Sequence, residues 1–205
     1  MQTSLWSLST LLAVAFLLGA TVQRALETFA QRQIVPGQKK MVWSFHAFSW
    51  LHTAIMAGSC LEYLTLRQRL DWRWSLLGLA GYIGSVVLRN AAIRTLGRFW
   101  SLHIEIRAEH VLVREGVYDF VRHPAYSAIM LEVLSIPLTV NSWWTMLFAG
   151  LTYIPMLVLR LNHEERALVE KFGGPYRQYQ EEVGALVPKW SRLQRMLCRS
   201  CSIGR

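Results

Sequence analysis

Charge is scarce in this sequence: Asp, Glu, Lys and Arg make up only 17% of 205 residues, against 53% hydrophobic types and nine tryptophans. A soluble domain ordinarily carries about a quarter charged residues, so this balance points to the bilayer as the solvent. Cysteine is nearly missing. Cys60 lies in an apolar run and Cys198 and Cys201 lie near the end, which gives neither a disulfide framework nor a four-ligand zinc set, and reduced thiols are expected. Cys201 is also one place too far from the C-terminus for a prenylation box. No Pro/Gly/Ser-rich linker, low-complexity tract or internal repeat divides the chain, which reads as one structural unit. Acidic residues are outnumbered, 13 to 22, for a formal net charge of +9. The basic residues sit between apolar runs and not on an aromatic-interleaved face, so no nucleic-acid partner is expected and anionic lipid headgroups are. No obligate protein partner is evident.

What is present is a series of five apolar runs: Leu5 to Val22, Val42 to Leu64, Trp74 to Leu88, Ala125 to Val140, and Trp143 to Leu161. The first would span roughly 27 Å as a helix, enough to cross most of a hydrocarbon core. Met1 to Ser4 holds no Lys or Arg, so an uncleaved anchor is expected there, not a signal peptide. Only Asn141 and Ser142 separate the last two runs, which predicts a tight antiparallel helical hairpin. Lys and Arg number four over residues 24–40, six over 89–122 and nine from 160 onward, against three over 67–73. With five crossings and the N-terminus outside, the three rich segments fall on the cytoplasmic side. Between the third and fourth runs, Leu102, Ile104 and Ile106 alternate with His103, Glu105 and Arg107, the period of an extended segment, and Glu115-Gly116 supplies a turn. After the last run, Glu164 to Phe172 reads as a separate amphipathic surface helix ending at Gly173-Gly174-Pro175. The expected fold class is therefore an all-α integral membrane protein of about five transmembrane helices. Residues 1–93 would supply three spans, and residues 94–205 the hairpin, the amphipathic helix and a cytoplasmic pocket.

Several polar residues stand out against this background. Arg122-His123-Pro124 reads as a helix start, because proline costs little in a first turn whose N–H groups are unpaired anyway; His123 there either bonds a ligand or simply caps. Glu164 and Glu165 follow an uncharged span, and adjacent acids point to different helix faces, so one can meet a cationic ligand while the other pairs with Arg160 or Arg166. Glu132 lies midway along the fourth run, where a carboxylate facing hydrocarbon would cost about 2.5 to 3.5 kcal/mol. It should face protein, either as a functional group or satisfied by a partner such as Arg160 or a hydroxyl. His46 and His52 are six apart, about 120° around a helix, and make poor joint metal ligands. Both are expected to be structural, as is Glu62, placed to snorkel to the interface. No metal site is expected.

The order His110-Val111-Leu112-Val113, Gly116-Val117-Tyr118, Arg122-His123-Pro124-Ala125-Tyr126, then Arg160, Glu164-Glu165, Phe172-Gly173, Tyr176 and Tyr179 resembles the isoprenylcysteine carboxyl methyltransferases over roughly residues 96 to 190. The resemblance implies membrane helices whose cytoplasmic ends enclose S-adenosylmethionine beside an opening for a lipid tail. It implies a cofactor site lined by Glu105, His110, Val111, Leu112, Val113, Tyr118, His123, Pro124, Ala125, Tyr126, Glu164 and Glu165. Arg160 would face the acceptor and Arg122 would be a second contact. The membrane would be the endoplasmic reticulum in a eukaryote and the cytoplasmic membrane in a bacterium.

The acceptor implied is a prenylated or lipid-like molecule entering from the bilayer. If it is a prenylcysteine, its carboxylate is already ionised at neutral pH and needs an arginine to orient it, a role for Arg160 and Arg122. If it is instead a hydroxyl on a long-chain phenol or pyrone, a base is useful, and Glu132 is the candidate. Prenyl-directed members of the family usually carry an aromatic residue near position 132, so Glu132 is a departure. An NADPH-dependent sterol-type reductase and a non-catalytic lipid-binding protein are the rival classes.

Overall fold

The computed structural model describes residues 8–30, 38–40, 42–66, 70–97, 100, 104–106 and 112–190. Six α-helices carry it: α1 (Leu8–Phe29), α2 (Val42–Thr65), α3 (Trp72–Leu96), α4 (Pro124–Thr139), α5 (Trp143–Phe172) and α6 (Gly174–Glu182). Of these, α1, α3 and α5 are long and apolar enough to cross a membrane, and α4 is a shorter apolar helix of 16 residues. Among the described residues the fold is helical apart from one small ribbon, β1 (Gln38–Lys40) paired antiparallel with β2 (Ile104–Ile106). β2 falls in the segment whose alternation predicted an extended backbone, and the pairing ties the α1–α2 connection to the stretch that precedes the site.

Leucines of α1 and α3 such as Leu11, Leu18, Leu76 and Leu77 are more than half exposed, the pattern of surfaces meant for lipid and not water. The inward faces are close-packed. α3 and α4 approach so tightly at Gly78 that a Cβ there would stand 2.5 Å from the Thr139 backbone nitrogen; small residues allow such approach where helix packing replaces hydrophobic drive.

The α4–α5 hairpin turns on Asn141 and Ser142, with Asn141 in the left-handed region at φ 58°, a conformation asparagine tolerates better than most residues. Its side chain locks the turn to the start of α3, accepting from the Asp71 N–H at 2.6 Å and donating to Ser75 Oγ at 3.2 Å. Asp71 in turn caps α3 by accepting from the Arg73 N–H at 3.0 Å. Glu62 of α2 is buried at the same end, where it accepts from the N–H groups of Trp144 and Thr145 at 3.1 and 2.8 Å. A carboxylate satisfies the free N–H groups and the positive end of a helix dipole, so Glu62 does not snorkel to the interface; it caps α5.

α5 runs unbroken for 30 residues, roughly 45 Å. The separate amphipathic helix expected from Glu164 to Phe172 is thus the end of α5 itself, carrying Glu164 and Glu165 beyond the apolar stretch. It ends at Gly173, φ 60°, and Pro175 opens α6 directly afterwards. The segment after α6 returns to the start of α4: Arg122 and His123 donate their N–H groups to Gly184 O and Ala185 O, both at 2.9 Å.

Candidate active site

A cavity of about 490 Å³ opens among α1, α2, α4, α5, α6 and residues 112–118. One end is polar and is built by the start of α4 and the last turns of α5. The other is walled mostly by apolar and hydroxyl side chains of α1 and α2.

The polar end is ordered around Glu165. Arg122 grips it with one edge of its guanidinium, Nε to Oε1 at 3.0 Å and Nη2 to Oε2 at 2.9 Å, and donates Nη1 to the carbonyls of Gln180 (3.1 Å) and Val183. Two-pronged arginine–carboxylate pairs of this kind are strong and directional. Tyr176 OH donates to Glu165 at 2.8 Å, His123 Nε2 stands 2.7 Å away, and Gln180 donates as well. Burial and the neighbouring carboxylate push the Tyr176 phenol up, so it stays a donor. Glu165 therefore pairs with Arg122, not with Arg160 or Arg166, and it is not on the cavity wall. Arg122 lines the cavity, but Glu165 and the two carbonyls take its donors.

Glu164, one residue earlier on the helix, does line the cavity and its side chain is 29% exposed. Tyr126 OH donates to it, and His123 Nδ1 is 3.7 Å from its carboxylate. The His123 and Tyr126 rings stack at 5.6 Å with planes 8° apart. Arg160, one turn before Glu164, donates Nε to Tyr126 OH at 2.9 Å and Nη1 to Ser44 Oγ at 3.3 Å. Its guanidinium stands 5.7 Å from the centroids of both the Phe48 and Tyr126 rings. Tyr126 thereby joins Arg160 to Glu164 in one network. Leu112, Val113, Tyr118 and Ala125 complete this part of the wall. Tyr179 OH donates to the Tyr118 carbonyl, and burial raises the Tyr118 phenol, with Glu164 adding to the effect. Pro124 is buried at the first turn of α4, where it shapes the helix start without lining the cavity. His110 and Val111 lie outside the described residues, as does the side chain of Glu105, whose backbone belongs to β2. The C-terminal Cys198 and Cys201 also lie outside them.

Glu132 is fully buried, at 0% exposure, and is not on the cavity wall. Its partners are Arg89 of α3 and Arg24 of α1, the latter at 3.2 Å, not Arg160. Arg89 also pairs with Glu27 at 2.5 Å. Sequence reading passed over Arg24, which lines the cavity, because as the first charge after an apolar run it looks like a headgroup contact. His52, expected to be structural, stands on the cavity wall too.

A ligand bearing a sulfonium, an ammonium, ribose hydroxyls and an adenine matches the polar end chemically. Glu164 offers a carboxylate for the hydroxyls or cations, and His123 Nδ1 offers a further hydrogen bond. Leu168 and Phe172 give apolar wall for a base.

Comparison with known proteins bears on the same segment. Residues 76–170 match the model of the isoprenylcysteine carboxyl methyltransferase family. Protein-S-isoprenylcysteine O-methyltransferase B of Arabidopsis thaliana is 33% identical over 164 residues, covering 75% of this chain and 82% of that protein. An uncharacterized protein of Bacillus subtilis is 31% identical over 121 residues, 58% of this chain and 71% of that one. Among solved structures, the eukaryotic intramembrane Ras methyltransferase isoprenylcysteine carboxyl methyltransferase superposes with a TM-score of 0.62 at 26% identity. That match covers 70% of this chain and about half, 52%, of the solved one. The family-matched segment contains Arg122, His123, Tyr126, Arg160, Glu164 and Glu165 of the polar end, and the chain belongs to the isoprenylcysteine carboxyl methyltransferase family.

Proposed function

We propose that this membrane protein methylates the carboxylate of a prenylcysteine-like acceptor, taking the methyl group from S-adenosylmethionine. The observation that carries this reading is the single cavity that joins the Glu164–Tyr126–Arg160 network to an apolar wall from α1 and α2. A charged donor and a lipid-tailed acceptor need such opposite surroundings within one enclosure.

When bound, S-adenosylmethionine supplies an electrophilic methyl group on a sulfonium. Glu164, with the Tyr126 phenol, holds the donor at the polar end, while Glu165 fixes Arg122, His123 and Tyr176 so that this end keeps its shape. Arg160, between the Tyr126 and Phe48 rings, orients the acceptor carboxylate at the junction with the apolar wall. The carboxylate needs no base, since it is ionised at neutral pH. Enclosure excludes water and aligns the reacting atoms, and positioning of that kind lowers barriers by roughly 7 to 11 kcal/mol. Methylation of a hydroxyl through Glu132 fits less well, because Glu132 is off the cavity wall and held by two arginines.

The five-span arrangement, with the polar end on the cytoplasmic side, belongs to the same proposal. It is supported by α2, 24 residues long, and α4, which pack among α1, α3 and α5. α1 and α2 then supply most of the acceptor wall and residues 94–205 the donor end. Purified protein in detergent should be stabilised against heat by S-adenosylhomocysteine and not by NADPH, and should form the methyl ester of N-acetyl-S-farnesylcysteine. Stabilisation by NADPH alone, or donor binding without any ester formed, would refute the reading.

A further inference from the structure

Two polar side chains on the cavity wall lie on helices before the family-matched segment and take no part in the donor end: Arg24 of α1 and His52 of α2. His52 is 9% exposed, and neither ring nitrogen has a hydrogen-bond partner among the described residues. Leaving a buried donor and acceptor unmade is destabilising, so the imidazole, itself part of the cavity wall, carries an unmet hydrogen-bonding demand. The hydroxyls beside it do not meet it: Ser49 Oγ and Thr53 Oγ1 donate to the α2 carbonyls of Phe45 and Ser49 at 2.8 and 2.9 Å.

Arg24 is held differently. Its side chain is 23% exposed, and Nη1 stands 3.2 Å from Oε2 of Glu132, the same oxygen that Arg89 holds, while Arg89 continues to Glu27. The row Glu27, Arg89, Glu132, Arg24 alternates in sign, sums to zero and ends at the cavity. A buried charge this deep in a helix bundle must be paired, and the pairing fixes Arg24 while neutralising it. An anion would unbalance the row; a neutral oxygen would not. The depth also separates this spot from the methylation centre. His52 follows Ser44, the Arg160 partner, by eight residues on α2, about 12 Å along the helix axis.

We propose that Arg24 and His52 form a second polar subsite that takes a neutral hydrogen-bonding oxygen, a hydroxyl or ketone, carried within the lipid portion of the acceptor. Glu132 is then a positioning residue for Arg24. The natural acceptor has an oxygenated tail, not a plain hydrocarbon one. This rests on the carboxyl-methylation reading and narrows its substrate.

The test uses the full chain in detergent with two acceptors, N-acetyl-S-farnesylcysteine and its analogue bearing one hydroxyl on the second isoprene unit. The wild type should show a KM at least tenfold lower for the hydroxylated acceptor, with similar kcat. His52→Phe and Arg24→Leu should each erase that ratio, and Glu132→Gln should reduce it. S-adenosylhomocysteine binding serves as the check that each variant is folded. No preference in the wild type, or a preference that survives both His52→Phe and Arg24→Leu, overturns the subsite. If a variant loses donor binding, the wild-type ratio still decides the matter. Failure of the wild type to methylate either acceptor while binding the donor product overturns the proposed function instead, and the subsite with it.

Discussion

Replacing Glu165 by glutamine tests how the polar end is held. The substitution keeps the shape but removes the charge that faces the buried guanidinium of Arg122 and the donors of Tyr176 and Gln180. The side chains of Arg122 and Glu165 are only 8% and 15% exposed, so solvent cannot replace the lost partner. Removing one member of such a buried pair costs about 3 to 5 kcal/mol. For a chain of this size each kcal/mol lowers Tm by about 2 to 4 °C, so Glu165→Gln should melt roughly 6 to 20 °C below the wild type in the same detergent. Arg122→Gln alone should cost a similar amount. The double variant should fall well short of the sum, because the pair is then absent and not broken; a coupling of about 0.5 to 3 kcal/mol is the range for residues in contact. Fluorescence-detected melting of the four proteins measures the cycle. Additive losses, or a Glu165→Gln protein that melts within 2 °C of the wild type, would show that the grip of Arg122 on Glu165 does not organise the site.

Other variants probe the neighbouring contacts. Glu164→Ala should weaken S-adenosylhomocysteine binding at least tenfold by calorimetry with little change in Tm, since its carboxylate faces the cavity; unchanged affinity would remove it from the donor site. Tyr126→Phe deletes the hydroxyl shared by Glu164 and Arg160, so both donor affinity and acceptor turnover should fall, and an effect on only one would break the link drawn between them. Arg160→Ala should cost about 2 to 5 kcal/mol in kcat/KM on a prenylcysteine, the usual loss when one partner of a desolvated charge pair is truncated; near-normal turnover would refute its orienting role. Gly78→Ala forces a Cβ to 2.5 Å from the Thr139 nitrogen and should destabilise by about 1 to 3 kcal/mol, as overpacking does, without altering donor affinity. Single cysteines at the exposed positions 144 and 190 in a cysteine-free background should be labelled from opposite sides of the membrane.

Local pattern reached much of this molecule. The Asn141-Ser142 break places the hairpin, the alternation around Ile104 places the short strand, and Pro124 marks the first turn of α4. Each depends on residues within a few positions of one another, where backbone sterics and periodicity act. The end of the fifth apolar run misled because charge was read as a boundary. α5 continues through Arg160, Glu164 and Glu165, since these residues are good helix formers and their partners come from α2, α4 and α6.

The larger gap concerns Glu132, Arg24 and Arg89. Hydropathy assigns a basic residue at the end of an apolar run to the headgroups, and it gives a mid-run acid no partner nearer than its own helix neighbours. In the structure each supplies what the others lack: Arg89 is 3% exposed, Glu132 is wholly buried, and Arg24 ends the row at the cavity. Three helices meet through charges that one-dimensional patterning treats as unrelated. The same logic explains why Glu132 could pass for a base from sequence. An acid inside an apolar helix must have a function or a partner, and only the packing of α1, α3 and α4 shows that it has two partners. Its influence on the reaction therefore runs through Arg24, so Glu132→Gln should act on acceptor KM and leave no base-like step in the dependence of kcat on pH.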